Sequence, residues 1–550
     1  MSIKVTILGL IICCVASCNE PTKKEQNYFD KALEKGVRAN EGYNRCLNFT
    51  KDWLTVTDPI SGLIPSNAYG KGLDTWTPHN AAADNYPFMV LTAYLLDEEM
   101  YEGTMLNILN TEKKITSRLG ALPDTYSFTE QNFKNKEIDT AKIIFGTSEY
   151  IKDGLIPLTE YTGFTPWSER LIEMLDDLSK HITVVQMKEG TFYSNSISTE
   201  INGELLQTLS RVYWMTKDKK YLDWATSIAD YYLLDYPDYL LKNDRLRLRD
   251  HGCEIIGGLS EFYVISKFTN SKNHKAYQKN LHKILDRILE VGRNEDGMFY
   301  NAVNMETGVV SDQGIVDNWG YLYNAYYTVY LIDRNVEYRD AVLKVFKALG
   351  PNYSNFDWER GSSDGFADAI ESGINLYNRE RVPELKKWID NEIKVMWSLQ
   401  DSSYRKAAQP WKNRGIIEGW HGDGNFARTT IMYCLMQTND VTVSPWREDI
   451  ILGAFEKEDK LYISLKANEN WEGTLYFGRE RHKEIFHLPI DYPRINQFPE
   501  WFTTKDEETY LVTDFDTNSA TSYDGLVLRE GIKVKLKKSE PFYLTISRKR

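Results

Sequence analysis

The chain has 550 residues, an apolar fraction of 42% and a formal net charge of −13. Its length indicates more than one domain, and its negative charge argues against nucleic acid as a partner. Three widely spaced cysteines beyond residue 18, with no CxxC pair, exclude a disulfide framework and the common zinc motifs.

The N-terminus has the pattern of a bacterial lipoprotein signal. An apolar run over residues 5–15 is followed by small residues and then Cys18. The run is too short to span a membrane. We therefore predict a cleaved signal over residues 1–17, a lipid on Cys18, a polar tether over residues 18–26 and an outer-membrane location on the periplasmic or cell-surface side. An ordinary secretory signal is the alternative.

Residues 27–445 follow a helical pattern almost throughout. Helices that are apolar on all faces alternate with helices that are charged on one face. This alternation, at intervals of roughly 50–65 residues, predicts a mainly α-helical (α/α) toroid of about six or seven hairpins. An open α-solenoid is the alternative. After Pro445 the pattern becomes apolar–polar alternation between turns, which predicts a small antiparallel β-sandwich over residues 446–550.

Five polar segments precede the apolar helices. The inner helix ends of a toroid surround one cavity, so these segments are predicted to meet although they are distant in sequence. They are Thr75–Asn85, Arg247–Glu254, Val316–Asn324, Glu359–Glu371 and Glu418–Arg428. Helix caps and core aromatic residues are the structural alternatives for many of their side chains.

Three of the eight histidines, His79, His251 and His421, lie in these segments. Their spacings match no metal motif, and no phosphate loop, dinucleotide fingerprint or nucleophile elbow is present. We therefore expect no metal and no cofactor. The high aromatic fraction of 13% suits the apolar faces of sugar rings.

Two carbohydrate chemistries fit these residue types. Hydrolysis needs two carboxyl groups, for which Asp84, Asp317, Asp364 and Glu418 are candidates. Elimination from a uronic acid needs a base, an acid and groups that neutralise the carboxylate. Histidine, tyrosine, asparagine and arginine at the same segments supply those groups.

The signal, the helical pattern, the β-rich tail and the stretch "EGWHGDGNFA" from Glu418 resemble the α/α-toroid carbohydrate-active enzymes of Bacteroidetes polysaccharide utilisation. That group includes uronate lyases and unsaturated glucuronyl hydrolases, and the chain is most similar to its ulvan oligosaccharide dehydratases. The resemblance implies loss of water from the non-reducing-end uronic acid of an oligosaccharide, which leaves an unsaturated uronate.

The resemblance also implies roles for individual residues. His251 or His421 is the base and Tyr321 the acid. The substrate-binding set is His79, Asp84, Arg249, Asn318, Trp319, Arg360, Glu418, Trp420 and Arg428. Within it, Asn318 and either Arg249 or Arg360 are expected to hold the uronate carboxylate. A glycoside hydrolase or a polysaccharide lyase on the same substrate class is the alternative, followed by a non-catalytic glycan-binding lipoprotein. The oligomeric state stays open.

Overall fold

The computed structural model of the protein describes residues 21–182, 184–187, 190–193, 198–402 and 415–549. The predicted signal, Cys18 and the start of the predicted tether lie outside these residues. Among the helices described, none combines the length and the apolar character that crossing a membrane requires.

The described chain is mainly helical. In chain order the helices are α1 (Lys23–Leu54), α2 (Tyr86–Leu96), α3 (Glu98–Met100), α4 (Leu106–Thr116), α5 (Thr140–Glu149), α6 (Ile156–Thr162), α7 (Pro166–His181), α8 (Thr199–Thr216), α9 (Lys219–Asp230), α10 (Glu254–Phe268), α11 (His274–Val291), α12 (Trp319–Asp333), α13 (Val336–Asn352), α14 (Ser363–Arg379), α15 (Pro383–Ser402) and α16 (Asp423–Thr438). Wider π-helical turns occupy Pro78–Asn85, Tyr101–Met105, Tyr150–Leu155 and Tyr231–Asp235, and single 3-10 turns occupy Gly70–Asp74 and Trp358–Gly361.

Buried and one-faced helices alternate. Helix α16 is buried along its whole length, whereas α11 buries only a stripe at helical spacing. The buried helices contact one another in the order α8, α10, α12, α14 and α16. Helix α16 then contacts α2 and the Pro78–Asn85 turn, which packs on the Tyr150–Leu155 turn, which in turn reaches α8. The buried helices therefore close a ring, as predicted, while the number of hairpins stays a prediction.

Short strands decorate the ring, and longer strands form the C-terminal region. The first group is β1 (Thr75–Trp76), β2 (Ser117–Leu119), β3 (Leu122–Pro123), β4 (Tyr126–Ser127), β5 (Asn132–Phe133), β6 (Val184–Met187), β7 (Gly190–Tyr193), β8 (Leu246–Arg247), β9 (Tyr300–Val303) and β10 (Val310–Ile315). The second is β11 (Thr442–Ser444), β12 (Ile451–Lys457), β13 (Lys460–Lys466), β14 (Trp471–Tyr476), β15 (Thr509–Asp514), β16 (Ser519–Asp524), β17 (Ile532–Leu536) and β18 (Phe542–Arg548).

The C-terminal strands form two antiparallel sheets, in the orders β12-β13-β18-β15-β16 and β11-β14-β17. Both sheets contribute side chains to one apolar cluster, with Ile463 and Ile546 from the first and Leu475 and Val534 from the second. Two short helices, α17 (Arg481–Glu484) and α18 (Gly525–Glu530), interrupt the region. The alternating sequence pattern is therefore that of strands with one buried face.

The N-terminal boundary differs from the prediction. Helix α1 begins at Lys23, inside the segment predicted as a tether, and a reciprocal capping box between Thr22 and Glu25 starts it. Phe29 of this helix stacks on Tyr543, and the Ser464 hydroxyl donates to the Phe29 carbonyl at 2.7 Å. The first helix is thus fixed to the C-terminal sheet.

The C-terminal boundary also differs. Residues 478–508 leave the sheets and pack against the helical ring, where Phe486 and Tyr492 join the main core. Arg494 is buried there and donates to Glu160 of α6 at 2.5 Å. The region predicted as a β-sandwich alone therefore also covers one end of the ring.

Candidate active site

A cavity of about 280 Å³ lies within the ring of buried helices. Its wall comes from all five predicted segments, and from additional residues of α5, the Tyr150–Leu155 turn and the C-terminal region. The lining residues are His79, Asn80, Asp84, Phe145, Glu149, Lys152, Asp153, Asp250, His251, Glu254, Asn318, Tyr321, Glu359, Asp364, Asp368, Trp420, His421, Asn425, Arg428 and Asn496. The five segments therefore meet in one site, as predicted.

Two π-helical turns present carboxyl groups to this cavity. Asp84 lies in the turn Pro78–Asn85 and Asp153 in the turn Tyr150–Leu155. Such turns widen a helix locally and are frequent at functional sites. A Cβ on Gly154 would lie 3.1 Å from the carbonyl oxygens of Ala82 and Ala83. The two turns are therefore in direct backbone contact.

The glycine-rich start of α16 packs against the turn that carries Asp84. A Cβ on Gly424 would lie 2.0 Å from the Asp84 carbonyl oxygen and 2.5 Å from the Asn85 Cα. Only glycine permits this approach. The buried carboxylate of Asp423 accepts from the backbone amides of Ile417, Glu418 and Gly419 at 2.9–3.1 Å. Asp423 therefore organises the preceding loop and does not cap its own helix.

Asp84 has a strongly perturbed carboxyl group. Burial, together with the nearby negative charge of Asp153, raises the pKa of Asp84 to about 8. The Nε2 atom of His421 lies 3.7 Å from Oδ2 of Asp84. Burial lowers the pKa of His421 to about 3, so this neighbour is neutral at pH 7. Asp84 is consequently a protonated carboxylic acid at neutral pH.

Asp368 of α14 is the second perturbed carboxyl group. Its Oδ1 accepts from Arg428 at 2.6 Å and from the Tyr321 hydroxyl at 3.1 Å. Burial raises the pKa of Asp368 to about 6, against the opposing attraction of Arg428. Within the described parts of the chain, Oδ2 accepts no hydrogen bond. Asp368 is therefore ionised at pH 7 and has one oxygen available to the cavity.

Arg428 and Glu371 form a network of buried polar contacts next to Asp368. Arg428 lies 2.8 Å from Oε2 of Glu371 and donates to Asn425 and Asn496 at 2.8 and 2.9 Å. Tyr321 also donates to Glu371 at 3.0 Å. Burial raises the pKa of the Tyr321 hydroxyl well above its usual value. The predicted acid Tyr321 thus faces the cavity, but its hydroxyl is engaged by two carboxyl groups.

The three predicted histidines all line the cavity and differ in charge. Burial lowers the pKa of His79 to about 4, so His79 and His421 are neutral at pH 7. His251 has the opposite shift: the adjacent Glu200 overcomes burial and raises its pKa to about 9. The Nδ1 atom of His251 lies 2.6 Å from Glu200 and 3.3 Å from Glu149. A charged His251 has no free nitrogen lone pair at pH 7 for proton abstraction.

The cavity is acidic. Among the residues that the structure describes, eight carboxyl groups line it, against one lysine, one arginine and His251. Lys152 lies 2.7 Å from Asp153 and 2.8 Å from Glu254. Arg428 pairs with Asp368 and Glu371 as described. Each of these lining cations is thus already matched by a carboxylate of the protein.

Four predicted substrate-binding residues lie outside the lining. Trp319 is in the core against Trp388, because its side of α12 faces the outer helices. Arg360 is exposed in a left-handed turn. Arg249 pairs with Asp250 at 2.8 Å and with Glu359 at 3.1 Å. Glu418 accepts from the Trp420 indole at 3.0 Å and so positions that ring. The other predicted site residues, His79, Asp84, Asn318, Trp420 and Arg428, line the cavity.

Several lining residues were not in the predicted site. Asp364 is a sequence-based candidate for hydrolysis or for a helix cap, and the sequence pattern assigns Asp368 no catalytic role. Lys152 and Asp153 lie in an apolar helical stretch that carries no entrance pattern. Asn496 comes from the region predicted as β-sandwich and donates to Asp153 at 3.0 Å. The weak strand pattern over residues 478–508 was the only available signal for Asn496.

No protein-family model and no curated protein matches the chain. Several solved structures align with more than half of the chain, at low sequence identity. An inactive variant of alpha-1,6-mannanase GH76A of Salegentibacter sp. HEL1_6, in complex with alpha-1,6-mannotetrose, is 10% identical and has a TM-score of 0.41, with 72% of this chain and 99% of that chain covered. The family 76 glycoside hydrolase (mannosidase) Bt3792 of Bacteroides thetaiotaomicron is 15% identical with a TM-score of 0.37, over 55% and 88% of the two chains.

An unsaturated glucuronyl hydrolase specific for heparin is 13% identical with a TM-score of 0.36, over 54% of this chain and 85% of that chain. These identities and TM-scores assign neither a family nor an activity to the protein. The functional conclusion therefore rests on the cavity itself.

Proposed function

We propose that the protein is a glycoside hydrolase that cleaves a neutral oligosaccharide, with Asp84 as general acid and Asp368 as general base. The observation that carries this proposal is that two buried carboxyl groups of one cavity have different neighbours. Asp368 is paired with Arg428 at 2.6 Å, whereas Asp84 lies 3.7 Å from the neutral His421, and their pKa values are accordingly about 6 and about 8. Environments that separate two carboxyl pKa values in this way mark an acid and a base.

Each carboxyl group suits its role. Asp84 holds a proton at pH 7 and delivers it to the glycosidic oxygen as the bond to the anomeric carbon breaks. Asp368, through its unengaged Oδ2, takes a proton from the attacking water, whose hydroxyl group bonds to that carbon. Arg428 and Tyr321 hold the other oxygen of Asp368 and so fix its orientation.

The remaining lining suits a sugar. Trp420 and Phe145 supply aromatic surface, which packs against the apolar faces of sugar rings. Asn80, Asn318 and neutral His79 supply hydrogen-bonding groups for hydroxyls. Oδ1 of Asn318 is buried and has no hydrogen-bond partner among the described residues.

The charge of the cavity favours a neutral sugar over a uronic acid. Arg249 and Asn318, which the dehydratase hypothesis assigns to a uronate carboxylate, bond to protein carboxylates instead. Arg360 lies outside the lining. A further carboxylate would enter a site whose lining cations are already paired, at a cost of order 1–4 kcal/mol per nearby like charge. Elimination of water from an ulvan-type uronate therefore stays a sequence-based prediction without a supporting contact.

Kinetics of two variants test the roles. Asp84→Asn and Asp368→Asn should each lower kcat by about 10²–10⁴-fold on a hydrolysed oligosaccharide, as loss of a positioned acid or base does. Asp340→Asn, an exposed carboxyl on α13, is the matched control and should retain the wild-type rate. Near-normal rates in both cavity variants would overturn the assignment.

The location remains part of the proposal. A lipid on Cys18 would hold the enzyme at the outer membrane beside extracellular or periplasmic glycans. Radiolabelled palmitate incorporation that disappears in Cys18→Ala would support this, and unlabelled wild-type protein would contradict it.

A further inference from the structure

A cluster of three glutamates and a histidine lies at one wall of the cavity, apart from the proposed acid and base. Its members are Glu149, Glu200, Glu204 and His251. One oxygen from each carboxyl group and one imidazole nitrogen all lie within 4.8 Å of one another. This spread matches the distances between ligand atoms around a single ion after small adjustments.

Three separate elements build the cluster. Glu200 and Glu204 are four residues apart on α8, so they share one helix face. Glu149 ends α5, and His251 precedes α10. A Cβ on Gly203 would lie 2.3 Å from the Glu254 backbone, so α8 and α10 are in close contact at this level. That contact brings His251, from the loop before α10, to the glutamates of α8.

Two of the three glutamates, Glu149 and Glu204, have carboxyl oxygens without a hydrogen bond among the described residues. Glu204 is 1% exposed, and neither of its carboxylate oxygens has a hydrogen-bond partner among the described residues. Oε1 of Glu149, which is 5% exposed, is also without a hydrogen bond there. A buried carboxylate without a hydrogen bond or a counter-ion lowers the stability of the fold by several kcal/mol. A cation bound to these oxygens would remove that cost.

The nearest protein cations do not supply this need. Lys152 pairs with Asp153 and Glu254. The Nδ1 atom of His251 lies 2.6 Å from Glu200 and 3.3 Å from Glu149, and its single charge cannot neutralise three carboxylates. Burial, together with the negative charge of Asp153 beside Glu149 and that of Glu149 beside Glu204, raises the pKa of Glu149 and Glu204 well above the usual range.

We propose that Glu149, Glu200, Glu204 and His251 bind one divalent transition-metal ion of the Mn²⁺ or Zn²⁺ class at the cavity wall. Three carboxylate oxygens and one imidazole nitrogen form a mixed set that suits these ions better than the all-oxygen sets of Ca²⁺ and Mg²⁺. Because His251 is charged at pH 7, it releases a proton to solvent when its nitrogen binds the ion. This proposal differs from the expectation, based on sequence spacing, that the protein binds no metal. Spacing along the sequence does not indicate the site because its ligands come from three distant segments. It does not depend on the reaction proposed above.

A second group, His482, Asp491 and Glu500, provides a matched control. There the carboxylates are satisfied by the protein: Asp491 pairs with Arg379 and Arg494, and Glu500 accepts from the His482 backbone at 2.7 Å. That group therefore resembles the cluster in composition but has no unmet charge.

Metal binding tests the proposal without any activity assay. Full-length protein is stripped with EDTA and titrated with MnCl₂, ZnCl₂ and CaCl₂ separately, by calorimetry and thermal unfolding. We expect one Mn²⁺ or Zn²⁺ per chain, a raised Tm with that ion, and weaker binding of Ca²⁺. Glu204→Gln should weaken the affinity by more than the 10–100-fold that loss of an outer partner of a metal ligand typically costs. Glu500→Gln should leave it unchanged.

Folding of the key variant is read from its Tm without metal. Glu204→Gln removes one of two repelling buried carboxyl groups, so its metal-free Tm should equal or exceed that of the wild type. Absence of Mn²⁺ and Zn²⁺ binding at millimolar concentration, tighter binding of Ca²⁺, or unaltered affinity in a folded Glu204→Gln would overturn the proposal. So would loss of affinity in Glu500→Gln alone.

Discussion

Arg428 donates to Oδ1 of Asp368 at 2.6 Å, and this contact sets the charge of the proposed base. The arginine opposes the effect of burial, so the pKa of Asp368 is raised only to about 6. No arginine or lysine of the described residues pairs with Asp84, and its pKa is raised to about 8. The difference between the two aspartates therefore follows from where the single lining arginine is placed.

The first prediction concerns the pH dependence of hydrolysis. Activity requires ionised Asp368 and protonated Asp84. It should therefore rise through about pH 6, as Asp368 loses its proton, and fall through about pH 8, as Asp84 does. A profile of kcat/KM against pH measures both limbs, and activity that keeps rising above pH 9 would contradict the role of Asp84.

Arg428→Met is the internal check on this profile. Without the guanidinium, burial is unopposed and the pKa of Asp368 rises. The acidic limb should move upward by about 1–3 pH units, whereas the basic limb should not move downward. If the acidic limb does not move, the titration of Asp368 is not its cause.

The second prediction separates activity from stability. The raised pKa of Asp84 means that the folded state holds a proton that the unfolded state releases above about pH 4. Stability contributed by this proton is present below pH 4 and is lost as the pH rises through about 8. Asp84→Asn removes this loss. Its Tm should exceed that of the wild type at pH 8 but not at pH 4, while its activity is abolished.

Differential scanning calorimetry at the two pH values measures this effect. Asp340→Asn serves as the control and should show no pH-dependent difference from the wild type. An Asp84→Asn protein that is less stable than the wild type at pH 8 would show that the ionised carboxylate is stabilising.

The third prediction concerns the contact between α16 and the Asp84 turn. A methyl group at Gly424 would meet the Asp84 carbonyl oxygen at 2.0 Å, and backbone atoms cannot rotate away. Gly424→Ala should therefore destabilise the protein by about 1–3 kcal/mol and lower kcat by about 10²-fold through displacement of the acid. Urea unfolding and steady-state kinetics measure the two effects.

Gly350→Ala is the matched control for Gly424→Ala. Gly350 lies in α13, and a Cβ there would meet no atom within 4 Å. Alanine should be neutral or stabilising by about 0.5–1 kcal/mol at such a helical site. Equal behaviour of the two variants would contradict the close-approach argument.

The fourth prediction concerns residues 478–508. Arg494→Met leaves Glu160, which is 2% exposed, without its cation. We expect a loss of about 3–5 kcal/mol in the free energy of unfolding, as for other broken buried ion pairs. Lys535→Met, which breaks the exposed pair with Glu472, should cost only about 0–1 kcal/mol. Equal losses would show that the buried pair is not important for stability.

The sequence predicts the ring because helical periodicity and burial are local properties. Helices such as α12 and α16 are apolar around their whole circumference, and α11 is not. The same argument brings the five polar segments together and places His79, His251 and His421 in one cavity. The ring and the common cavity can therefore be predicted without information on contacts between distant residues.

The rest of the site depends on tertiary contacts that no local pattern contains. Asp153 lies in a helical stretch whose π-helical turn rotates it inward. Asn496 belongs to the C-terminal region and donates to Asp153, and the buried ion pair between Arg494 and Glu160 fixes that region to the ring. Arg249 has the right chemistry for a substrate carboxylate, but its partners Asp250 and Glu359 are revealed only by the fold.

The mass of the products tests the central proposal most directly. Purified protein is incubated in water enriched in heavy oxygen with a panel of neutral and uronic-acid oligosaccharides. Hydrolysis by Asp84 and Asp368 predicts shorter products from a neutral oligosaccharide, with one heavy oxygen at the new reducing end. Loss of one water from a uronic-acid oligosaccharide of unchanged length, with new ultraviolet absorbance, would contradict hydrolysis and establish the dehydratase.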